Sequence, residues 1–202
     1  RAADCIPVWQ EGLDAVRALA DADPKDLRLR VDVAVAYHGL ALLHAKKERL
    51  DLAAEAIAAS LATWESVVVA SPDSRADRFN YASALSAKAE IEHERGNFPT
   101  SIEAHRQALK VFAEPEVAAK DPIEPLIAHE AFGDTLSDYV RRGGGPETAR
   151  QARQAYQTAR DGYARLRQAG QIPAAVEELD GRVAQKLARV PDAPASPSAR
   201  RR

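Results

Sequence analysis

The residues of this sequence with the most chemical potential are its histidines. A metal site would need several of them close together, with carboxylate or thiol partners. No two histidines are four residues apart, the spacing that would place both on one helix face. Glu92, His93 and Glu94 are adjacent, so they would project in different directions from a helix. We therefore expect no metal site, and packed or solvated imidazoles at His38, His44, His93, His105 and His129.

Two other patterns could suggest catalysis. The run Gly143-Gly144-Gly145-Pro146 precedes a predicted helix, where backbone N–H groups can bind phosphate. It lacks the Lys-Ser/Thr end of a phosphate-binding loop, and no predicted strand comes before it. Ser60, Ser66 and Ser71 have no histidine and aspartate arranged around them as in a nucleophilic triad. We expect an inter-helix turn, no catalytic residues and no cofactor.

Composition narrows the class of partner. The formal net charge is −2 over 202 residues, so no global basic field favours nucleic acid. The single cysteine, Cys5, excludes an internal disulfide. No apolar run approaches the roughly 18 residues of a membrane span, so we expect no membrane insertion in this segment. We expect a cytoplasmic location, with a position outside the cytoplasm, behind an upstream membrane span, as the alternative.

The spacing of apolar residues predicts helices throughout. The sequence begins with Arg1 and contains no Met, and we expect it to be part of a longer polypeptide. Residues 1–190 are predicted to form one helical repeat domain, with 114–125 as an irregular connection. Residues 191–202, PDAPASPSARRR, have little to bury and are predicted to be a disordered tail. Eight helices are predicted, over residues 4–22, 25–47, 51–69, 75–95, 99–113, 126–142, 146–169 and 174–189.

The sequence repeats with a period of 48 residues. This offset aligns Pro24 with Pro72 and Ala41 with Ala89. It also brings small residues to one position, early in each second helix, where they would let two helices approach closely: Cys5, Ala53, Ser101 and Ala149. In the third unit the register is expected to slip, because Gly133 lies only 44 residues beyond Ala89.

These units resemble tetratricopeptide repeats, which have a large residue beside Gly or Ala in the first helix. That pair is seen at Leu40-Ala41 and Phe132-Gly133, whereas Lys88-Ala89 departs from it. The usual period of the family is about 34, so 48 implies roughly two extra helical turns per helix. VDVAVAYHGLALLHAKKERLDLAAEA and HEAFGDTL are similar to the long repeats that follow some bacterial serine/threonine kinase domains. The resemblance implies an all-α, right-handed solenoid of antiparallel helix pairs.

Such a solenoid would have a concave groove lined by the first helix of each pair. The groove would be acidic toward its C-terminal end, which favours a basic or amphipathic peptide. The candidate groove residues, all expected to be exposed, are His38, Leu42, Ala45, Ser86, Glu90, His93, Glu130, Asp134 and Asp138.

The resulting hypothesis is a non-catalytic protein-interaction scaffold, the C-terminal module of a larger bacterial signalling protein that resembles a kinase. No kinase motif lies in these residues themselves. The first alternative is homo-oligomerisation, in which Trp9, Phe112 or an open terminal repeat contacts a twin copy. The second is a helical enzyme with a dispersed site.

Overall fold

The part of the chain that the structure describes is helical. A computed structural model describes residues 5–171 and 178–190, and within these ranges it contains nine helices and no strand. The chain divides into two compact units, Arg1–Lys120 (unit 1) and Asp121–Arg202 (unit 2). The helices are α1 (Ile6–Ala22), α2 (Leu27–Lys46), α3 (Leu50–Ala70), α4 (Arg75–Glu94), α5 (Phe98–Phe112), α6 (Pro115–Ala118), α7 (Glu124–Arg141), α8 (Pro146–Gln168) and α9 (Leu179–Ala188).

Side-chain caps start the helices at corresponding places. Asp26 accepts hydrogen bonds from the backbone N–H groups of Arg28 and Leu29 at the start of α2. Ser74, 48 residues later, accepts one from Asp77 N at the start of α4. A cap of this kind satisfies N–H groups that have no partner inside the helix. The repeat in the sequence therefore includes the capping residues of α2 and α4, whereas α3, α5, α7 and α8 have no side-chain cap.

Consecutive helices pack on one another in unit 1: α1 on α2, α2 on α3, α3 on α4 and α4 on α5. Close approach is fixed by small polar side chains that bond to the backbone of a neighbouring helix. Ser60 Oγ donates to Ala34 O at 2.8 Å, and Ser101 Oγ donates to Ala89 O at 2.7 Å. Around these contacts the core includes Ile57, Trp64, Leu85, Ala89 and Phe112.

Glycines allow the equivalent close approach in unit 2, where α7 packs on α8 and α8 on α9. A Cβ atom added to Gly133 would lie 2.6 Å from the ring of Tyr156, and one added to Gly162 would lie 2.3 Å from Leu126. Tyr156 is 2% exposed. The ring of Tyr156 thus occupies the space that a side chain at position 133 would need.

The 48-residue register is reproduced by the helix boundaries. α4 begins and ends 48 residues after α2, and α5 begins 48 residues after α3. The turns before α3 and α5 have a residue in the left-handed conformation at the same place, Glu48 with φ 57° and Gly96 with φ 76°. α7 ends 47 residues after α4, and α8 begins 48 after α5. The helix ends of the third unit therefore keep the register to within one residue. The slip predicted at Gly133 lies inside α7, with the extra length expected in the glycine run after Arg142, so the helix ends do not test it.

Several expectations about the elements need correction. The segment expected to be irregular contains the short helix α6, which buries Val117, so the described residues form nine helices and not eight. Val35 and Leu19 lie at helical spacing from other apolar residues, which predicts burial, but they are 48% and 58% exposed. Three of the four small residues early in second helices are buried, but Cys5 is exposed. Residues 174–177 of the last predicted helix and the predicted tail lie outside the described residues.

The expectation that no apolar run approaches the length of a membrane span needs correction for α3. α3 is long and apolar enough to cross a membrane, by length and composition alone. In the structure Ile57, Leu61 and Trp64 of this helix belong to the core of unit 1. The solenoid arrangement, the antiparallel pairing and the absence of membrane insertion stay predictions.

Candidate interaction surfaces

The candidate groove residues of unit 1 differ widely in exposure. Leu42 on α2 and Glu90 on α4 are exposed, as predicted. His38 and His93 are half-buried, and burial lowers the pKa of His38. Ser86 is buried, so the prediction of exposure is wrong there. The cause is that Ser86 lies among buried residues of α4, which packs on α3 and α5.

Leu42 belongs to an exposed apolar surface, of which the sequence analysis predicted Leu42 but not its neighbours. Val35, Gly39 and Leu42 are spaced by four and three residues, so they share one face of α2. Trp9 of α1 lies on Gly39, where an added Cβ would be 2.2 Å from the indole ring. The side chains of Trp9, Val35 and Leu42 are 41%, 48% and 48% exposed. We call these three side chains, with Gly39 beneath the indole, the Trp9 patch.

The indole of Trp9 is held by a hydrogen bond and by a packing contact with α2. Trp9 Nε1 donates to Ala36 O at 2.7 Å, and the missing side chain at Gly39 lets the ring lie against α2. A large aromatic group held in one orientation loses little conformational entropy on binding. The Trp9 patch is thus a preformed apolar contact surface.

A shallow pocket of about 220 Å³ lies between α1, α2 and α3 of the same unit. His44 is 8% exposed, and its Nδ1 is buried without a hydrogen-bond partner. Arg17 lies over the ring of Tyr37, 5.9 Å from the centroid. The lining residues combine a cation, an anion and apolar walls, and none of them is a serine or cysteine nucleophile: Gln10, Leu13, Arg17, Tyr37, Leu40, His44, Leu52, Glu55 and Ala56.

The acidic candidates of unit 2 contact basic side chains of α9. Glu130 and Asp134 are one turn apart on α7, and Arg182 and Lys186 are one turn apart on α9. The Arg182 guanidinium donates twice to Glu130, at 2.9 and 2.7 Å. Lys186 Nζ lies 2.7 Å from Glu130 Oε1 and 2.6 Å from Asp134 Oδ2. We call these four residues the α7–α9 charge cluster.

Two buried tyrosines, Tyr156 and Tyr163, interact with the carboxylates of the α7–α9 charge cluster. Tyr156 Oη donates to Asp134 Oδ1 at 2.7 Å. Burial, and then the hydrogen bond to Asp134, raise the pKa of Tyr156. Burial, and then the charge of Glu130, raise the pKa of Tyr163. Both phenols therefore stay protonated at neutral pH.

The two cations are stabilised in their charged forms. The hydrogen bond to Glu130 raises the pKa of Arg182. Burial alone would lower the pKa of Lys186, but hydrogen bonds to Asp134 and Glu130 outweigh it, so that pKa is raised. A bidentate guanidinium–carboxylate contact is the stronger form of such a pair. The contacts with the two carboxylates thus stabilise the charged forms of Arg182 and Lys186.

The exposure predicted for this acidic set is wrong in part. Glu130 is only 3% exposed, and Asp134 and Asp138 are half-buried. Asp138 pairs with Arg141 on its own helix. Sequence reasoning missed Arg182, Lys186 and Tyr156. A matching signal was available, since a basic pair four residues apart in the last helix complements the acidic pair four apart in α7.

The other histidines are packing residues. His105 is fully buried, and burial, with the neighbouring His93, lowers its pKa to about 3. The rings of His93 and Phe98 lie 5.5 Å apart. Burial also lowers the pKa of His129. Within the described ranges no three His, Cys, Asp or Glu side chains are grouped so that they could hold a metal ion.

Comparison with protein-family models and with curated proteins gave no match for this sequence. The resemblance to tetratricopeptide repeats therefore depends on the residues and on the helix register described above.

Proposed function

We propose that this chain is a non-catalytic protein-interaction scaffold and that the Trp9 patch is its contact surface for a partner. The observation that carries the proposal is the exposure of three large apolar side chains around Gly39. Aromatic side chains in such patches dominate binding energy at protein interfaces. An exposed, preformed apolar surface is more consistent with binding than with chemistry.

The partner we propose is an amphipathic peptide segment whose apolar face covers Trp9, Val35 and Leu42. The position equivalent to Leu42 one repeat later is the exposed Glu90, which favours a basic residue in that segment. The α7–α9 charge cluster gives an example, within this chain, of an acidic helix face that holds a basic helix. It supports the chemistry proposed for the partner.

The wider context is proposed from resemblance alone. The repeats are similar to those that follow some bacterial serine/threonine kinase domains, so we propose a C-terminal module of a signalling protein in the cytoplasm. Sequencing of the gene upstream of Arg1 tests this context. A kinase domain in the same reading frame would support it, and an unrelated domain would refute it.

A peptide-display selection on the whole chain tests the contact surface. Selected peptides are expected to lose on the order of tenfold or more in affinity for a Leu42→Asp variant, because a charge would be buried under the peptide. Val69→Asp is the matched control, since Val69 is 80% exposed and lies at the end of α3. Peptides that bind both variants equally would refute the Trp9 patch as the site.

Homo-oligomerisation is the second candidate, favoured by the same exposed Trp9. Of the two aromatic side chains predicted for this contact, Phe112 is only 2% exposed, which favours Trp9. Sedimentation velocity separates the two proposals. A dimer that Leu42→Asp dissociates would assign the patch to a twin copy, whereas a monomer at all concentrations removes this candidate.

A further inference from the structure

α1 and α3 are counterparts in the 48-residue repeat. Both helices end at the same repeat position, Ala22 and Ala70. The helices that follow them, α2 and α4, match at both ends. Each residue of α1 therefore has a defined counterpart in α3, and the surroundings of the two can be compared position by position.

The comparison shows a face that is buried on α3 and exposed on α1. On α3, Ala56, Ser60 and Val67 are at most 6% exposed, and Ser60 Oγ donates to Ala34 O of α2. Their counterparts 48 residues earlier are Val8, Gly12 and Leu19. Val8 is 71% exposed and Leu19 58%. A Cβ added to Gly12 would meet nothing within 4 Å.

The exposed face of α1 is a continuous apolar stripe. Val8, Gly12, Ala15 and Leu19 are spaced by four, three and four residues, which aligns them on one side of the helix. α1 packs on α2 through a different side, where Leu13 is 1% exposed and Trp9 bonds to Ala36. We call the four residues the α1 stripe. It is separate from the Trp9 patch.

We propose that the α1 stripe is the docking face for a helix of the α2 type, carried by the same polypeptide on the N-terminal side of Arg1. On α3 the equivalent face is covered by α2, which reaches it through the short turn 47–49. At the offset of 48 residues, the counterpart of Arg49 in the sequence is Arg1. The occupant thus repeats the packing stripe of α2, including small residues at the positions of Ala34 and Ala41.

The small area of the α1 stripe favours a helix of the same polypeptide over a second copy of the chain as its occupant. Two stripes of Val, Gly, Ala and Leu would bury far less than the roughly 800 Å² per partner of a stable dimer. A helix joined by a short turn needs no such area, since its effective concentration is in the millimolar range or above. The stripe is therefore suited to an intramolecular neighbour.

The test adds the missing neighbour in register. A copy of residues 25–48 is placed directly before Arg1 of the full chain, which reproduces the α2-to-α3 spacing. The control carries the same copy with Ala34→Glu and Ala41→Glu, two positions that are 0% exposed in α2 itself. The single exposed cysteine, Cys5, whose counterpart Ala53 is buried, is the probe.

Docking is expected to slow maleimide labelling of Cys5 on the order of tenfold, since labelling then requires local opening. It is also expected to raise Tm by roughly 5 °C or more, because Val8 and Leu19 become buried. The control copy should give neither effect. Leu19→Glu should abolish both in the extended chain and leave Tm of the original chain unchanged.

Unchanged labelling and Tm in the extended chain would overturn the proposal. It would also be overturned if sedimentation of the original chain showed a dimer that Leu19→Glu dissociates, because the face would then belong to a second copy. Neither result bears on the Trp9 patch, whose test uses Leu42.

Discussion

At the scale of single residues, the position of Trp9 depends on one missing side chain. Gly39 is the only position on that face of α2, between Val35 and Leu42, without a Cβ, and the indole fills the vacated space. At the equivalent place one repeat later the sequence has Ala87 and Ile57, a larger helix residue and a smaller partner side chain. The effect of a substitution at one of these two positions on stability should therefore depend on the residue at the other.

Gly39→Ala is expected to lower the free energy of unfolding by about 1–3 kcal/mol, because the new methyl group would displace the Trp9 ring. In a Trp9→Ala background the same change should be neutral or stabilising by up to about 1 kcal/mol, since Ala is the better helix former. Urea unfolding of the four proteins gives the coupling. Additive effects would show that Trp9 does not rest on Gly39.

A second residue-scale prediction concerns His105, whose folded-state pKa is about 3 while an unfolded histidine titrates near 6.5. Between these values the unfolded chain binds the extra proton, so stability is complete above pH 6.5 and falls as the pH is lowered. From pH 7 to pH 5 the loss from this group is about 2 kcal/mol.

Urea unfolding of the wild type and of His105→Gln at both pH values measures that loss. The variant should lose about 2 kcal/mol less on acidification. Burial of His38 and His129 acts in the same direction in both proteins. An identical pH dependence of the two proteins would contradict the prediction.

At the scale of elements, the turn between α2 and α3 and the turn between α4 and α5 have the same backbone conformation although their residues differ. Glu48 and Gly96 both adopt the left-handed conformation, although only glycine does so without steric cost. Both residues are exposed. The backbone is thus set by the spacing of the two helices and not by the residue in the turn.

Glu48→Gly should raise the free energy of unfolding by about 0.5–1 kcal/mol, since it relieves a left-handed L-residue. Gly96→Ala is the reciprocal change. It should lower stability by about 1 kcal/mol, through φ alone, because a Cβ there would meet nothing within 4 Å. Thermal unfolding that shifts both variants in the same direction would be inconsistent with this account.

The other element-scale prediction concerns the attachment of α9. Arg182→Ala removes two hydrogen bonds from the buried Glu130 carboxylate and should cost about 1–3 kcal/mol. Arg189→Ala, at the exposed end of the same helix, should change stability by less than about 0.5 kcal/mol. Urea unfolding of both variants provides the comparison, and equal effects would show that the α7–α9 charge cluster adds nothing specific.

At the scale of the whole molecule, each compact unit has its own core. Trp64 and Phe112 lie in the core of unit 1, and Leu136 and Tyr163 in that of unit 2. Within unit 1, α3 packs on α2 and on α4, whereas α1 packs mainly on α2. Equivalent helices of the repeat thus differ in how many neighbours protect them.

Protection of backbone amides from hydrogen exchange should increase with the number of helices packed on each helix. Amides of α3 are expected to exchange on the order of a hundredfold or more slowly than those of α1, because local opening of α1 disrupts one helix contact and opening of α3 disrupts two. Mass spectrometry of peptic fragments from the two helices measures this. Equal protection of the two helices would contradict the expectation that two packed neighbours protect α3 more than one protects α1.

The sequence by itself determined the helical class, nearly all of the helix boundaries and the 48-residue register. These follow from local signals, namely apolar spacing and turn residues, which act over a few positions. It also identified Leu42, Glu90, Glu130 and Asp134 as residues of interest, but it could not give their surroundings.

Tertiary structure decided which surfaces are open. Val35 and Leu19 are apolar residues at helical spacing, yet they are exposed because no described helix covers them. Glu130 is a carboxylate, yet it is buried because α9 brings two cations to it, Arg182 from 52 and Lys186 from 56 residues away along the chain. Burial depends on neighbours distant in sequence, and local patterns carry no information about which neighbour arrives.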